Sequence, residues 1–434
     1  MPDARTPADR TSVELFAGGG GLAMAVHRAG FRPLLLNEYM RHACDTLEAN
    51  GAKPRSEEKV PEPDEPWPLV RGDVRELNMK YLKKQVDLLA GGPPCQPFSL
   101  GGIAKGDEDK RNMFPEMFRA IREIQPKAVI CENVRGLLRP SFKPYFDYIL
   151  RELEFPFVKR DPKVSWKKHN DDLQDLEKHA PQGSKRRYNV FKFEVNAADY
   201  GVPQIRNRVI LVAFRGDLKI DSDLLFRLTA PAHSEYALHQ SMRTGEYWDR
   251  HPKTPKHVRD RVMAELNTLL PLDNVDDKKK PWRTLRDALA GLDEESKPLP
   301  EIPWDRLDRA QYDDMPREHV GWPDARIYPG HTPNTLDRPA KTIKAGVHGV
   351  AGGECVVLTD TRLPGRRPVD GQRYRHRYMS VREAARVMTF PDDWKLSGPR
   401  GEKMRQLGNA VPVLLGEVFA KAVAAVLDDV ENRS

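Results

Sequence analysis

Ser12-Val13-Glu14-Leu15-Phe16-Ala17-Gly18-Gly19-Gly20-Gly21-Leu22-Ala23-Met24-Ala25-Val26 decides the fold class. An apolar run at 12–16 reads as a strand, meets four glycines, and gives way to a helical pattern over 22–29. This is the strand-turn-helix entry of a doubly wound α/β sheet, the place where such sheets bind a nucleotide-like ligand. Glycine is needed where the backbone turns tightly and approaches a ligand with no Cβ in the way. No Lys-Ser or Lys-Thr follows, which disfavours a phosphate-gripping loop. A purely structural turn has the same spelling, so the loop alone leaves function open.

Outward from this loop, short apolar runs alternate with helical patterns. Strands are expected at 33–37, 86–90, 128–131, 191–195 and 209–214, and helices at 116–124 and 145–153. The expected fold is α/β, a doubly wound and mostly parallel sheet covered on both faces. Two stretches break the pattern. Residues 159–188 are dense in Lys and Arg and read as a solvated insertion loop, with a nucleic-acid contact surface as the alternative. From 216 to 338 the chain is rich in proline, charge and tryptophan without clear alternation, which suggests a smaller, irregular domain. Val60-Pro61-Glu62-Pro63-Asp64-Glu65-Pro66-Trp67-Pro68 reads as an extended surface loop. An apolar helical stripe over 413–427, after Gly408-Asn409-Ala410-Val411-Pro412, is expected to return to the first domain. The expected division is therefore 1–215, 216–395 and a C-terminal segment 396–434.

Composition narrows the class. The 434 residues are 39% hydrophobic and 31% charged, and no apolar run is expected to reach the roughly 18–20 residues of a membrane span. The charged start, Met1-Pro2-Asp3-Ala4-Arg5, lacks the apolar core of a signal peptide, so a cytoplasmic protein is expected. Four scattered cysteines, Cys44, Cys95, Cys131 and Cys355, form no Cys-x-x-Cys pair. That argues against a disulfide framework and against a structural metal site. The net charge of +7 is a weak vote for a polyanionic partner.

Two acids sharpen the ligand. Glu38 closes the second expected strand, where a carboxylate can accept from both ribose hydroxyls. Asp73, in Gly72-Asp73-Val74, is placed to accept from an adenine amino group. Together they describe an adenosine pocket without a pyrophosphate site, which suits S-adenosylmethionine better than a dinucleotide.

Cys95 follows the strand at 86–90, inside Gly91-Gly92-Pro93-Pro94-Cys95-Gln96-Pro97-Phe98-Ser99. Prolines on both sides hold the backbone so that one side chain points one way. A lone intracellular cysteine is more often a small buried hydrophobe than a nucleophile. The surrounding string changes that reading. Taken with Glu14-Leu15-Phe16-Ala17-Gly18-Gly19-Gly20-Gly21, Glu132-Asn133-Val134, Ala198-Asp199-Tyr200-Gly201-Val202-Pro203-Gln204-Ile205-Arg206-Asn207-Arg208, Arg338-Pro339-Ala340-Lys341-Thr342-Ile343 and the Gly408 to Pro412 turn, in that order, the chain resembles the DNA cytosine-5 methyltransferase family of bacterial restriction-modification systems.

The resemblance implies a class I methyltransferase-like sheet, S-adenosylmethionine as cofactor, and a duplex DNA substrate. Carbon 5 of cytosine is too poor a nucleophile to attack a methyl sulfonium, so the family first adds a thiolate to carbon 6. Cys95 takes that role by resemblance. Glu132 takes the acid that meets the N3 and N4 edge of the base, and Arg206 and Arg208 the paired arginines facing the base and the cysteine loop. The cofactor contacts carried over are Phe16, Gly18, Gly20, Gly21, Leu22, Glu38, Asp73, Val74, Pro94, Asn409 and Val411. The target base must leave the stack, and the segment after the cysteine, with Ser99, Gly102, Lys105 and Arg111, is expected to close over the DNA. The 216–395 region takes the place of the target-recognition domain. Arg243, Arg250, Arg259, Arg261 and Arg283 are its candidate DNA contacts, against a plainer reading as solvated surface charge. A monomer paired in function with a cognate restriction endonuclease is the expected setting.

Three alternatives compete. A tRNA cytosine-5 methyltransferase shares the chemistry, but the resemblance gives that branch a shorter recognition segment. A catalytically silent DNA-binding protein leaves the intact Cys95, Glu132, Arg206 and Arg208 without purpose. An NAD-dependent oxidoreductase is raised by the glycine loop alone.

Overall fold

The computed structural model describes residues 10–94, 112–179, 181, 183–268, 278–292, 297–303, 314–322, 332–345, 355–363 and 374–433. Cys95, Ser99, Gly102, Lys105 and Arg111 lie outside the described residues. The chain divides into two compact units, one of Met1–Val195, Asn207–Ala230 and Gly416–Ser434, the other of Asn196–Arg206 and Pro231–Leu415.

The first unit is built on β1 (Arg10–Leu15), β2 (Phe31–Glu38), β3 (Lys53–Pro54), β4 (Pro68–Arg71), β5 (Leu88–Gly91), β6 (Ala128–Val134), β7 (Tyr188–Asn196) and β8 (Asn207–Arg215). They form one sheet in the order β3-β4-β2-β1-β5-β6-β8-β7. From β3 to β6 neighbours run parallel, and β8 lies antiparallel to β6. Helices α1 (Gly21–Arg28), α2 (Arg41–Ala49), α3 (Phe114–Ile124), α4 (Lys143–Glu154), α5 (Trp166–His179) and α6 (Ser222–Leu228) accompany them.

Alternation sorts the strand residues by face. Val13, Leu15, Leu89, Val129, Cys131, Leu211 and Ala213 share one buried cluster with Phe114, Met117 and Phe118 of α3 and Tyr148 and Ile149 of α4. Their sequence neighbours Glu14, Ala90, Ile130 and Val212 are also buried, which is why the strands read as continuous apolar runs. The strands expected here and the helices expected at 22–29, 116–124 and 145–153 are all present, with ends shifted by at most three residues. The Pro-rich stretch before Pro68 carries no regular element, as expected.

The basic insertion is loop only at its two ends. Residues Trp166–His179 form α5, docked on α4 through buried Leu173, through Trp166 rings 5.2 and 5.6 Å from Tyr145 and Tyr148, and through a Tyr148 hydroxyl to His169 Nδ1 contact of 3.0 Å. Part of its charge is paired, with Lys168 on Asp172 at 2.6 Å and Lys178 on Asp175 at 3.0 Å within α5, and Glu177 on Arg151 of α4 at 3.1 Å. Periodic charge hid an amphipathic helix whose apolar side is only a few residues wide.

The second unit holds β9 (His233–Ser234) paired with β10 (Lys280–Pro281), and a three-stranded sheet of β11 (Asn334–Thr335), β12 (Val356–Arg362) and β13 (Tyr374–Tyr378). Around them stand α7 (Glu235–Thr244), α8 (Glu246–Arg250), α9 (Lys256–Thr268), α10 (Leu285–Ala290), α11 (Val381–Val387) and α12 (Arg400–Asn409). Leu238, Met242, Tyr247, Trp248, Val262, Leu266 and Trp282 make its small core. Within the stretch expected to be irregular, the part from Ser222 to Thr268 is thus mostly helical.

Unit boundaries fall elsewhere than at 215/216 and 395/396. Residues 216–230 stay with the first unit because Phe226 of α6 packs on Phe191 and Phe193 of β7, with ring centroids 5.8 and 5.7 Å apart. Residues 196–206 belong to the second because Ile205 N–H donates to Ala340 O at 2.8 Å and Ala340 N–H to Pro203 O at 2.9 Å. The last helix, α13 (Val413–Asn432), returns to the first unit as expected. Phe419 meets Phe193 at 5.2 Å, and Arg10 pairs with Glu431 at 3.1 Å. The stretch Arg400–Asn432 is long and apolar enough to pass for a membrane span by composition, contrary to the expectation that no run comes near. Its apolar residues, among them Leu415, Phe419, Val423 and Val426, are buried within the protein, and Lys421 pairs with Glu417 at 2.6 Å on its polar side.

Candidate active site

Chain order reverses at β1, with β2 on one side and β5 on the other. Ligands of open α/β sheets bind beyond the strand ends at such a switch point. Both loops singled out in the sequence start there, one leaving β1 at Phe16 and the other leaving β5 at Gly92.

The glycine loop is held in an unusual backbone. Phe16 has φ 58°, Gly18 φ 56° and Gly20 φ 91°. A left-handed Phe costs on the order of 1–3 kcal/mol, a strain that clusters at ligand-binding turns. Ala17 N–H donates to Asn37 O at 3.0 Å, and Gly18 N–H to Glu38 Oε2 at 2.7 Å. The other Glu38 oxygen accepts from Tyr39 N–H at 2.8 Å and Met40 N–H at 2.7 Å. Burial raises the Glu38 carboxyl pKa, and the three backbone donors oppose that rise. Gly20 caps α1 with no side-chain bond and no acid follows in the first turn, so neither a cap nor a first-turn acid offsets the positive end of the helix dipole.

Asp73 caps a short 3-10 turn that begins at Val74, accepting from Arg75 N–H at 2.9 Å and from the Arg75 guanidinium. Those bonds hold its carboxyl below the usual range. Leu22 and Val74 are buried. Asn37 ties this rim together: its Nδ2 donates to Val70 O and Gly72 O, both at 3.1 Å, fixing the Gly72-Asp73 turn against the end of β2. Sequence reasoning passed over Asn37, whose one signal was a polar side chain inside an apolar strand.

At the other loop, Asn133 Nδ2 donates to Pro93 O at 3.0 Å and Met113 N–H to Pro94 O at 3.3 Å, so the backbone entering Cys95 is clamped from β6 and from the start of α3. Glu132 follows Cys131, the register partner of Gly91. A Cβ built on Gly92 would lie 3.5 Å from Glu132 Oε2, so the carboxylate leans over the first residue of the cysteine loop. Arg208 Nε stands 2.6 Å from Glu132 Oε1, and both side chains are only about a tenth exposed. The structure therefore brings Glu132, Arg208 and the Gly92-Pro93-Pro94 backbone together.

Arg206 is occupied differently. It is 1% exposed and donates to Ile343 O at 3.1 Å, Gly408 O at 2.8 Å and Ala410 O at 2.9 Å. All of these lie in the second unit, whereas Arg208 lies in the first. Arg206 is thus a positioning residue for the turn that carries Asn409 and Val411. Gly408 in that turn approaches so closely that a Cβ would stand 2.3 Å from Ala345 N.

Cys44, Cys131 and Cys355 are buried. Burial pushes the Cys44 and Cys131 thiols up to about 12, and a thiol held protonated is a poor nucleophile. Of the five candidate DNA-contacting arginines, Arg243 donates to Leu266 O, Arg250 pairs with Asp287, and Arg259 donates to Thr254 O and Pro252 O.

The fold places the protein among α/β methyltransferases. A putative DNA modification methyltransferase encoded within an Escherichia coli prophage superposes with a TM-score of 0.50 at 21% identity, covering 97% of this chain and 100% of that one. The S. pombe Dnmt2 methyltransferase gives 0.52 at 16%, covering 97% and 99%. At these identities the likeness concerns the fold alone. Sequence settles the family: the chain belongs to the C-5 cytosine-specific DNA methylases, whose signature matches residues 10–156 and 167–425, and it is a DNA cytosine-5 methyltransferase. It is 30% identical over 427 residues to the Type II methyltransferase M.Eco47II of Escherichia coli, covering 98% of this chain and 81% of that protein. It is 29% identical over 418 residues to M.NgoMIV of Neisseria gonorrhoeae, covering 96% and 98%. The gap in the family signature, 157–166, lies in the charged insertion and closes at the start of α5.

Proposed function

We propose that the protein methylates carbon 5 of a cytosine within a specific duplex DNA sequence, with S-adenosylmethionine as donor, as the modification enzyme of a restriction-modification system. The observation that carries the site assignment is the Glu132–Arg208 pair beside the backbone that leads into Cys95. The donor fits the first unit. Strained Phe16, open Gly18, the uncapped α1 and the buried Glu38 carboxylate make a cradle for an adenosine and an amino-acid carboxylate. When bound, that donor supplies an electrophilic methyl group.

The protein's own residues do the rest. The Cys95 thiolate adds to carbon 6 of an extruded cytosine, and the electron pair released into the ring makes carbon 5 nucleophilic. Glu132 holds the N3 and N4 edge and Arg208 keeps Glu132 oriented. After methylation carbon 5 loses its proton to a base, the carbon 6 to sulfur bond breaks, and the thiolate returns. Asp73, Val74, Leu22, Gly20, Gly21, Pro94, Asn409 and Val411 are the further cofactor contacts in this reading. Ser99, Gly102, Lys105 and Arg111 contact DNA in it. A monomer acting in the cytoplasm on nucleoid DNA, beside a cognate endonuclease, is the setting it implies.

The test is to offer labelled S-adenosylmethionine with duplex DNA or with tRNA, then map 5-methylcytosine by bisulfite sequencing. Label in duplex DNA at one recurrent sequence is expected. Label in tRNA alone defeats the proposal. Cys95→Ser should abolish transfer and retain donor binding; substantial turnover by that variant refutes the nucleophile.

A further inference from the structure

Asn37 stands on β2 between Leu36 and Glu38 and is only 2% exposed. Its main-chain oxygen accepts from Ala17 N–H at 3.0 Å, and its Nδ2 donates to Val70 O and Gly72 O at 3.1 Å. One residue is thereby bonded to the glycine loop on the β1 side and to the Gly72-Asp73 turn on the β4 side. Both side-chain partners are carbonyl oxygens, so only a donor serves here. An amide beside Leu35 and Leu36 in a buried strand is costly unless it is hydrogen-bonded, and these two bonds are what it makes.

The turn needs such a tie. The register of β2 on β4 ends with Glu38 opposite Arg71, and Gly72 just past it has φ 141°, a conformation that residues with side chains rarely adopt. A Cβ on Gly72 would meet nothing within 4 Å, so glycine is there for the backbone and not for space. Beyond the ladder the turn is bound back to β2 by Gly72 N–H on Glu38 O at 2.9 Å and by Asn37 on Gly72 O. Asp73 follows at once. Its Oδ1 accepts from Arg75 N–H and Arg75 Nε, both at 2.9 Å, which fixes the side chain on its own turn. A carboxylate has about four acceptor sites, so Asp73 keeps capacity for an amino group. Where it offers that capacity is set by the turn, and through the turn by Asn37.

Glu38 is held by other means. Its oxygens accept from Gly18, Tyr39 and Met40 N–H groups, and the Asn37 side chain takes no part in those bonds. The acid assigned to the ribose and the acid assigned to the adenine are thus fixed independently, although their supports are consecutive residues of β2.

We propose that Asn37 is a specificity-determining positioning residue of the donor site: its side-chain amide sets Asp73 for the amino group of adenine and leaves the ribose contact of Glu38 alone. The proposal rests on the reading that S-adenosylmethionine binds the first unit. It adds which residue makes that site select adenine.

The test is calorimetry on the full chain with three ligands: S-adenosylhomocysteine, its analogue with purine in place of adenine, which lacks the 6-amino group, and its 2′-deoxyribose analogue. The wild type should prefer the first over the second roughly 10- to 100-fold, the range for a hydrogen bond to a charged group. Asp73→Ala gives the reference for a lost amino-group preference. Asn37→Leu, which keeps the volume in an apolar strand, should shrink that preference to about threefold or less and keep the wild-type preference for the 2′-hydroxyl. Asn37→Leu combined with Asp73→Ala should lose no more of it than Asp73→Ala alone. Asn37→Ser, which restores a donor, should recover part, and it decides the matter if the Leu variant does not fold.

An amino-group preference left at the wild-type value in a folded Asn37 variant overturns the proposal. So does an equal loss of affinity for all three ligands, the mark of a merely structural residue. A wild type that binds S-adenosylhomocysteine without preferring the amino group removes Asp73 from the adenine contact, and the part of Asn37 with it. A wild type that binds none of the three refutes the donor reading itself, a result that no variant is needed to recognise.

Discussion

Arg208 Nε stands 2.6 Å from Glu132 Oε1, joining β8 to β6 across an antiparallel register in which Arg208 faces Val134 and Glu132 faces Ile210. Neither residue is near the other in sequence; the sheet makes them a pair. Removing Arg208 leaves a buried carboxylate without its counter-charge, a loss of about 3–5 kcal/mol in comparable pairs. Arg208→Ala is therefore expected to lower the melting temperature by several degrees and methyl transfer by more than a hundredfold. Glu132→Gln in that background should restore part of the stability and none of the activity. A stability loss that the double variant leaves unchanged would remove the ion pair from the account.

Glu38 accepts three backbone N–H groups at the mouth of the glycine loop. Glu38→Ala should weaken S-adenosylmethionine binding by at least tenfold, measured by calorimetry, and leave the affinity for duplex DNA without donor unchanged. An equal loss for both ligands would point to a collapsed loop instead of a lost contact.

Glu14 is buried on β1, and burial pushes its carboxyl up to about 8. Its unfolded value is near the ordinary carboxylate range, so between about pH 4.5 and 8 the unfolded chain loses a proton that the native state keeps. The unfolded state then binds fewer protons, and stability falls as pH rises, by at most about 1.4 kcal/mol per unit. It levels off above the folded value. Melting curves from pH 5 to 9 should show Glu14→Gln gaining on the wild type steadily across this window. Parallel curves would refute the assignment.

Leu173 anchors α5 and is fully buried against α4. Leu173→Ala is expected to cost about 2–4 kcal/mol while transfer measured well below the melting temperature stays within twofold. A large loss of activity in a stably folded variant would give α5 a part in the reaction.

Much of this was legible in the linear chain because strands and cofactor loops are local. Strand β1, the glycine loop and α1 follow one another without a gap, and hydrophobic period plus glycine placement specify them. Glu38 and Asp73 were found because each ends or follows a strand. Helix α5 was missed for a converse reason: its apolar side is Trp166, His169 and Leu173 among lysines and aspartates, and charge pattern outweighed period. The helices of the second unit were missed because most are short and set among proline-rich, charged connections, and their caps, such as the reciprocal Thr284–Asp287 box at α10, are weak signals without the core they frame.

The sequence by itself determined the parallel α/β class, the two loops at the switch point and the residue types of the reaction, since each follows from chain-local spacing. Only the tertiary structure decided how the two arginines of Gln204-Ile205-Arg206-Asn207-Arg208 divide their work. They lie two residues apart on an extended segment, yet Arg206 is spent on the carbonyls of Ile343, Gly408 and Ala410 while Arg208 meets Glu132. Partners far away in the chain, from Glu132 before them to Ala410 after, are brought in by packing and set what each guanidinium touches, and no local pattern encodes them.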